Sequence, residues 1–426
     1  MRVLLVSANT ETINMPVLPL GMAFVARASE EAGHEVYQIN LMAEPEALKT
    51  LAKRIQKIQP EIIGLSVRNI DDQVSLQPRF LLDPVKAIVS TCRQNSEAKI
   101  VLGGAGYSIF PKQVLSYLNA DMGIQGEGER SFVMLLDKLK NNEDLSDIPG
   151  LYHADGTIAN PPDHFKKIDH NLFPQPGRHI FLLENTDDEI IWLPFQTRRG
   201  CPLNCSYCST PSIEGKIIRK RNPSLIIDTL TTYVTAGFKH FFFVDNTFNL
   251  PSAYAKDLCS QIIASGLNFT WRAILYPGHV DKELVSKMAE SGCAEVSLGL
   301  ESGSDIILKR MNKRYHTTDV RRASDLLKEV GIRRTGFLLL CGPGETRQTV
   351  QQSLELVDSL ALEMIKVTIG IRIYPNTQLA HHARRTGKIT PHSNLLFPKF
   401  YLEDGMEAWI RETVNAWMED RPNWIF

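Results

Sequence analysis

Short apolar runs rich in Val, Ile and Leu alternate with amphipathic stretches twice along this chain, and this alternation limits its fold more than any other feature. In the first half, the runs that predict strands are Val3–Ser7, Glu35–Ile39, Ile62–Val67, Lys99–Gly103 and Met122–Gln125. Helical patterns lie between and after them, at Leu20–Ala32, Glu46–Gln59, Pro84–Arg93, Lys112–Leu118 and Glu129–Leu139. Strands that alternate with helices favour a parallel sheet with helices on both faces, so residues 1–150 are predicted to form a doubly wound α/β domain of the flavodoxin or Rossmann type.

A second alternation follows a stretch, residues 151–190, that is rich in Pro, Asp and His and predicts a linker. Beyond it the strand candidates are Ile191–Thr197, His240–Asp245, Phe269–Leu275, Glu295–Gly299, Arg334–Leu340 and Ile365–Ile373. Six strands with intervening helices predict a partial (βα)6 barrel of the TIM type over residues 191–375. The last segment, residues 376–426, carries three of the five tryptophans and predicts a small helical extension that caps the barrel.

Composition agrees with an enzyme of a reducing compartment. The 426 residues can bury two cores, and a formal net charge of −1 without a basic stretch gives no indication of a nucleic-acid partner. No apolar run approaches the roughly 20 residues of a transmembrane helix, and the first strand is too short for a signal peptide. The seven cysteines are odd in number and do not form a disulfide framework. We therefore expect a cytoplasmic protein.

Three of the cysteines lie in one short loop with the spacing CxxxCxxC, namely Cys201, Cys205 and Cys208. A 4Fe-4S cluster normally takes four thiolates, so three would leave one iron open for chemistry. The alternatives are a zinc knuckle and buried structural thiols. Structural zinc takes four ligands, whereas this loop offers three cysteines and no histidine. The spacing therefore predicts that these cysteines are the catalytic ligands of an iron-sulfur cluster.

With Tyr207 before the last cysteine, this loop resembles the signature of radical S-adenosylmethionine (radical SAM) enzymes. The resemblance implies that the open iron chelates the amino and carboxylate groups of SAM. It also implies that an electron from the reduced cluster splits the sulfonium and gives a 5′-deoxyadenosyl radical, which removes a hydrogen atom from a substrate C–H bond. Such an enzyme needs an external electron donor, for example flavodoxin or ferredoxin.

Polar residues near the carboxyl ends of the predicted barrel strands fit the charged groups of SAM, because barrel chemistry gathers at that edge. Asp245 or the carbonyl of Asn246 would accept from the ammonium, Arg272 would bind the carboxylate, and Glu301 would bind the ribose. Gly299-x-Glu301-Ser302 resembles the ribose-contacting motif of the family, and Asp245-Asn246 occupies the place of its amino-group motif. The remaining candidate SAM contacts are Tyr207, Ser297, Ser302, Gly342 and Gly344. For Asp245 and Glu301 the alternative is a helix N-cap.

The loops that follow the strands of the first domain are rich in glycine, as a close approach of backbone to a large flat ligand requires, although tight turns need glycine as well. With the cysteine loop, they resemble the cobalamin-binding domain that precedes many radical SAM domains. The segments that carry the resemblance begin at Leu18, Ser66, Gly103 and Gly126. The candidate cobalamin contacts are Asn9, Leu20, Gly21, Ser66, Arg68, Asn69, Gly103, Gly104, Ala105, Gly126, Glu127, Gly128 and Glu129.

One departure from the pattern is that the DxHxxG motif, whose histidine binds cobalt in related domains, is absent. His34 follows Gly33 at a helix end and is interpreted as a cap or surface residue. The resemblance implies a cobalamin-dependent radical SAM C-methyltransferase that acts on an unactivated carbon of a small-molecule or lipid intermediate.

Two other functions stay open. One is a radical SAM dehydratase, cyclase or C–C bond-forming enzyme whose cobalamin domain is a scaffold or does not methylate. The other is a non-catalytic corrinoid or Fe-S sensor. A methylthiotransferase is disfavoured, because only Cys92 precedes Cys201 and the second cysteine trio usual in those enzymes is missing.

Overall fold

A computed structural model of the chain describes residues 1–11, 18–162, 173–174 and 192–426. The chain divides into two compact units. The first comprises residues 1–72, 78–193 and 210–215, and the second comprises residues 73–77, 194–209 and 216–426. Most of the predicted linker, residues 151–190, lies outside the described residues, so the domain boundaries expected from the sequence stay predictions.

The first unit is built on a six-stranded sheet with the order β2-β1-β3-β4-β5-β6. Its strands are β1 Arg2–Ser7, β2 Glu35–Asn40, β3 Ile62–Ser66, β4 Lys99–Gly103, β5 Met122–Ile124 and β6 Leu151–His153. Its helices are α1 Leu20–Glu31, the 3₁₀ helix Leu41–Ala43, α2 Ala47–Ile58, α3 Leu82–Asn95, α4 Ala105–Ile109, α5 Pro111–Leu118, α6 Gly128–Asn141 and, from the later insertion, α7 Thr210–Glu214. The five predicted strands are confirmed and pair in parallel, whereas β6 adds an antiparallel edge.

Burial explains why this sheet is doubly wound. Five consecutive residues of β1 are buried, which requires helices on both of its faces. Helix α2 buries Leu51, Ile55 and Ile58 at helical spacing and leaves its other side polar. The ends of the central strands are level, because Ser7 pairs with Ser66 and Ser66 pairs with Gly103. The loops that follow these strands therefore emerge at one edge.

The second unit contains a seven-stranded sheet with the order β17-β14-β13-β12-β11-β10-β7. Its strands are β7 Leu193–Phe195, β10 His240–Phe243, β11 Thr270–Leu275, β12 Cys293–Glu301, β13 Arg333–Leu340, β14 Met364–Ile369 and β17 Trp424–Ile425; the two-stranded pairs are β8 Arg198–Arg199 with β9 Arg219–Lys220 and β15 Ile371–Arg372 with β16 Phe400–Tyr401. Its helices are α8 Pro223–Thr235, α9 Ser252–Ser265, α10 Lys282–Glu290, α11 Asp305–Arg310, α12 Thr317–Glu329, α13 Arg347–Ser359, α14 Gln378–Arg385 and α15 Glu407–Met418.

The six predicted barrel strands all form, and their side chains alternate between two environments. In β11, Trp271, Ala273 and Leu275 are buried, whereas Thr270, Arg272 and Ile274 are partly exposed. One face of the sheet is thus a hydrophobic core, and the other is the more open interior of a partial barrel.

The C-terminal extension differs from the purely helical cap expected from the sequence. Helices α14 and α15 form, but Trp424 and Ile425 pair in parallel with β14 and add the seventh strand. The predicted strand Ile365–Ile373 is also interrupted, because Gly370 adopts a φ of +83° between β14 and β15. No helix among the described residues is long and apolar enough to span a membrane.

Candidate active site and cofactor edge

A buried ion pair fixes the start of the cysteine loop. The Asp245 carboxylate is fully buried and accepts hydrogen bonds from the backbone N–H groups of Thr197 and Arg198, at 2.7 and 3.1 Å. Arg198 Nε lies 3.2 Å from Asp245 Oδ2, and its guanidinium packs 4.5 Å from the ring centroid of Tyr254. With both oxygens of Asp245 engaged, its side chain braces the loop. The contact predicted between the SAM ammonium and either Asp245 or the carbonyl of Asn246 stays a prediction.

The turn between α11 and α12, residues 310–315, contacts the cysteine loop directly; we call it the bridging turn. Met311 O accepts a hydrogen bond from Ser206 N–H at 3.0 Å, and Asn312 Nδ2 donates to Asn204 O at 2.5 Å. The N–H of Leu379 in α14 donates to Ser206 O at 2.8 Å. These backbone contacts hold the loop between two helical segments that are distant in sequence.

Lys313, also in the bridging turn, places its ammonium among the groups of the site. Its Nζ lies 2.9 Å from Glu301 Oε1 and 5.2 Å from the ring centroid of Tyr207. Burial raises the pKa of the Cys205 thiol, and the nearby Lys313 ammonium offsets part of that effect. Only 6% of the Lys313 side chain is exposed. Burial opposes the charge, yet the pKa of Lys313 lies well above its usual value because Glu301 and neighbouring groups favour the ammonium. This residue was not predicted from the sequence.

The end of β12 separates the two predicted ribose contacts. Glu301 has a φ of +60° and follows an irregularity in the pairing with β13, and 14% of its side chain is exposed. Ser302 is fully buried, where its Oγ lies 3.1 Å from Ser353 Oγ and accepts from Ser304 N–H. Ser302 thus stabilises the start of α11. The SAM contacts predicted for Glu301 and Ser302 stay predictions.

Arg272 and Ser297 lie on the partly exposed face of the barrel sheet, before the strand ends. The Arg272 guanidinium packs 4.8 Å from the Phe242 ring centroid, and burial lowers the pKa of this arginine. At the strand ends themselves, Lys313 is a buried cation beside Glu301 and Cys205. Both Arg272 and Lys313 therefore qualify by charge as partners for the SAM carboxylate, and Lys313 is the one in contact with the cysteine loop.

The loop after β13 is clamped from two sides. Arg310 Nη1 donates to Gly344 O at 2.6 Å, and the Glu403 carboxylate accepts from Gly344 N–H. Gly344 has a φ of +71°, and a Cβ there would lie 1.3 Å from Arg310 Nη1, so only glycine fits. Glu345 closes the loop by accepting from Gly342 N–H at 3.0 Å, and burial raises its pKa to about 7. The glycines predicted to carry the adenine are therefore held in one conformation.

The three cysteines of the loop suit an iron-sulfur cluster by chemistry and by position. Cys201 is buried, whereas Cys205 and Cys208 are partly exposed. Burial raises the pKa of the Cys201 thiol to about 11. Within the described part of the chain, no three Cys, His, Asp or Glu side chains converge on a single ion. A four-iron cluster distributes its thiolates over separate irons, so three fixed but spread thiols with an adjacent ammonium fit such a cluster.

In the first unit, the four predicted loops emerge at the carboxyl edge of the sheet. A Cβ at Gly21 or Gly103 would meet no atom within 4 Å, so open space lies in front of the backbone there. Gly104 has a φ of +99°, and its Cβ would lie 2.6 Å from Val67 O; a Cβ at Gly106 would lie 2.8 Å from Arg68 O. Gly104 and Gly106 thus serve loop packing, whereas Gly21 and Gly103 leave room for a ligand. Ala105 belongs to the short helix α4.

A cleft at this edge is lined by several of the predicted cobalamin contacts, including Asn9, Arg68 and Asn69. Arg68 Nη1 donates to Asn69 Oδ1 at 3.1 Å. Glu127 precedes α6, whose first turn contains Gly128 and Glu129, and Gly126 N–H donates to Ser108 Oγ at 2.9 Å. The donor groups and the open glycines of this edge fit a large, flat, polar-rimmed ligand such as cobalamin.

Of the two interpretations of His34, a cap or a surface residue, the structure agrees with the cap, because its N–H donates to Ser29 O at 3.0 Å at the end of α1. Its ring is buried, its Nε2 lies 3.3 Å from Asp137 Oδ1, and burial lowers its pKa. It precedes β2, at the opposite end of the strands from the glycine-rich loops, and so is no ligand for that edge.

Comparison with known proteins gives a family match in each half of the chain. Residues 6–136 match the B12 binding domain family, and residues 196–357 match the Radical SAM superfamily. A Pyrococcus horikoshii protein described as an uncharacterized methyltransferase is 28% identical over 394 residues, which cover 90% of this chain and 83% of that protein. Tryptophan 2-C-methyltransferase of Streptomyces laurentii is 23% identical over 436 residues, which cover 87% of this chain and 73% of the relative.

Solved structures share the fold over the whole chain. TsrM, a radical SAM methyltransferase of Kitasatospora setae with cobalamin and a 4Fe-4S cluster bound, has a TM-score of 0.89 at 20% identity, covering 100% of this chain and 92% of that one. The cobalamin-dependent SAM radical enzyme OxsB has a TM-score of 0.79 at 18% identity, and the match covers 98% of this chain and 66% of OxsB.

Fold, sites and family matches define a protein with a B12 binding domain followed by a radical SAM domain. These two domains imply a 4Fe-4S cluster, SAM and cobalamin as cofactors. The resemblance inferred from the sequence is confirmed.

Proposed function

We propose that the protein is a cobalamin-dependent radical SAM C-methyltransferase that acts on an unactivated carbon of a small-molecule or lipid intermediate. The observation that carries the proposal is that one chain combines a fixed three-cysteine loop with a B12 binding domain whose glycine-rich edge is open. Three relatives that match at least 87% of this chain are described as methyltransferases. When bound, the cluster with SAM supplies a hydrogen-abstracting radical, and cobalamin carries the methyl group.

The residues of the second unit would bind and orient SAM. Glu301 would accept from the ribose hydroxyls, the carbonyl of Asn246 would accept from the ammonium, and Lys313 or Arg272 would bind the carboxylate. The clamped glycines Gly342 and Gly344 would let the adenine lie against the backbone. In the first unit, Gly21 and Gly103 would give cobalamin room against the backbone, with Ser66, Arg68 and Asn69 at its polar rim.

The electron donor and the compartment are part of the same proposal. A low-potential carrier such as flavodoxin or ferredoxin would reduce the cluster, since the chain carries no other redox motif in its sequence. All seven cysteines lie within the described residues and none forms a disulfide. Unpaired thiols and an exposed cluster are both suited to the reducing cytoplasm.

The test uses SAM with a deuterated methyl group. The anaerobically purified protein, loaded with iron, sulfide and cobalamin, is incubated with reductant, labelled SAM and a small-molecule extract of its own cells. We expect 5′-deoxyadenosine and at least one metabolite with a deuterated methyl group, both absent with a Cys208→Ala variant. Formation of 5′-deoxyadenosine without any labelled metabolite would favour a dehydratase or cyclase, and formation of neither product would favour a sensor.

A further inference from the structure

Lys313 makes contacts that SAM binding alone does not require. The Lys313 ammonium donates to the Glu301 carboxylate at 2.9 Å and lies 5.2 Å from the ring centroid of Tyr207, which stands between Cys205 and Cys208 in the loop. The side chain is almost completely buried, so water screens its charge little. A positive charge is thus held beside the loop that carries the three cysteines.

The backbone on both sides of this contact is fixed. Met311 and Asn312 of the bridging turn bond to Ser206 and Asn204 of the cysteine loop. Beyond Lys313, Arg314 N–H donates to Tyr276 Oη at 2.8 Å, and Tyr315 Oη donates to Gly299 O at 2.6 Å. The backbone that carries Lys313 is therefore fixed against the cysteine loop and against the segments of Tyr276 and Gly299.

We propose that Lys313 sets the reduction potential of the cluster through its buried positive charge beside the cysteine loop. This inference rests on the proposed assignment of Cys201, Cys205 and Cys208 as the cluster ligands. Three thiolates make the oxidised cluster anionic, and the incoming electron adds negative charge. Net charge is among the main determinants of cluster potential. A buried ammonium beside the loop stabilises the reduced state more than the oxidised one.

Glu301 reduces the effect of the Lys313 charge on the reduction potential. Its carboxylate lies against the same ammonium and offsets part of the positive charge. Neutralising Glu301 should therefore shift the potential in the opposite direction from neutralising Lys313. A residue whose only role is to hold the loop in place would not show these opposite signs.

The experiment measures the midpoint potential of the full-length protein with its cluster reconstituted and without SAM, by redox titration followed by electron paramagnetic resonance. Lys313→Met is expected to reduce the equilibrium constant for cluster reduction about tenfold. For a one-electron couple, this makes the midpoint potential about 59 mV more negative. Glu301→Gln is expected to shift the potential in the positive direction. Lys313→Arg keeps the charge and should stay closer to wild type, and Lys309→Met, which removes an exposed charge from α11, should leave the potential unchanged.

Several outcomes decide the inference. An unchanged potential in Lys313→Met with wild-type iron content overturns it, and if SAM affinity alone falls, Lys313 is only a carboxylate partner. If Lys313→Met does not retain a cluster, Glu301→Gln decides: a positive shift supports the inference, and no shift or a negative shift contradicts it. Failure of the wild-type protein to bind about four irons would instead contradict the assignment of the cluster itself.

Discussion

Replacing Cys201, Cys205 or Cys208 by alanine is expected to abolish SAM cleavage and to reduce the iron content from about four per chain to nearly none. The cluster has only three protein ligands in this loop, so each loss leaves a second iron open and the cluster unstable. The loop itself should keep its shape, because the contacts at Asn204 and Ser206 use backbone carbonyl and N–H groups. Iron and sulfide analysis with chromatographic detection of 5′-deoxyadenosine measures both effects.

Cys259→Ala is the matched control for these variants. Cys259 is completely buried on α9 in the same unit, so its removal costs some packing but no metal ligand. It should retain full iron content and SAM cleavage. Retained cleavage in any of the three loop variants would contradict the assignment of the cluster.

Replacing Asp245 by asparagine is expected to destabilise the second unit by about 3 to 5 kcal/mol, the cost of leaving a buried charge without its partner. Arg198 is 2% exposed, and its guanidinium would keep its charge with no anion beside it; the Thr197 hydroxyl, the carbonyl of Leu250 and two aromatic rings would be its remaining partners among the described residues. The cysteine loop begins at this contact, so iron binding should fall as well. Four of the five tryptophans belong to this unit, so urea unfolding followed by tryptophan fluorescence reports its stability.

Glu407→Gln provides the comparison for Asp245→Asn. Glu407 pairs with Arg411 on the surface of α15, and 59% of the glutamate side chain is exposed. Such a pair contributes less than about 1 kcal/mol. An Asp245→Asn protein as stable as Glu407→Gln, with a full cluster but weakened SAM binding, would restore Asp245 as a cofactor contact and refute its bracing role.

The sequence was sufficient for the parts of the fold that follow from periodicity. Buried β-branched runs such as β1 and β3 predicted a doubly wound sheet, and the ends of these strands predicted which loops would share an edge. The cysteine spacing predicted its own loop because all three ligands are local in sequence. Strand β17 was not predicted, because two residues carry no periodicity and form a strand only by pairing with β14.

The contacts that position the site depend on tertiary structure and left little signal in the sequence. Asp245 contacts Arg198, which lies 47 residues earlier in the sequence. An aspartate at a strand end is equally typical of a ligand contact or a helix cap. Lys313 lies in a polar turn that has the composition of a solvated helix end, yet its side chain is buried. Tyr315, a buried aromatic residue two positions after Lys313, is the trace of this contact in the sequence.

The corrinoid content of the protein tests the central claim most directly. The chain is purified without oxygen from cells supplied with cobalamin, and bound corrinoid is measured by absorbance and mass spectrometry. About one corrinoid per chain is expected, because the first unit matches the B12 binding domain family and its open glycines leave room for one ligand. Absence of corrinoid from protein whose cluster still cleaves SAM would contradict cobalamin-dependent methyl transfer and leave the first unit as a scaffold.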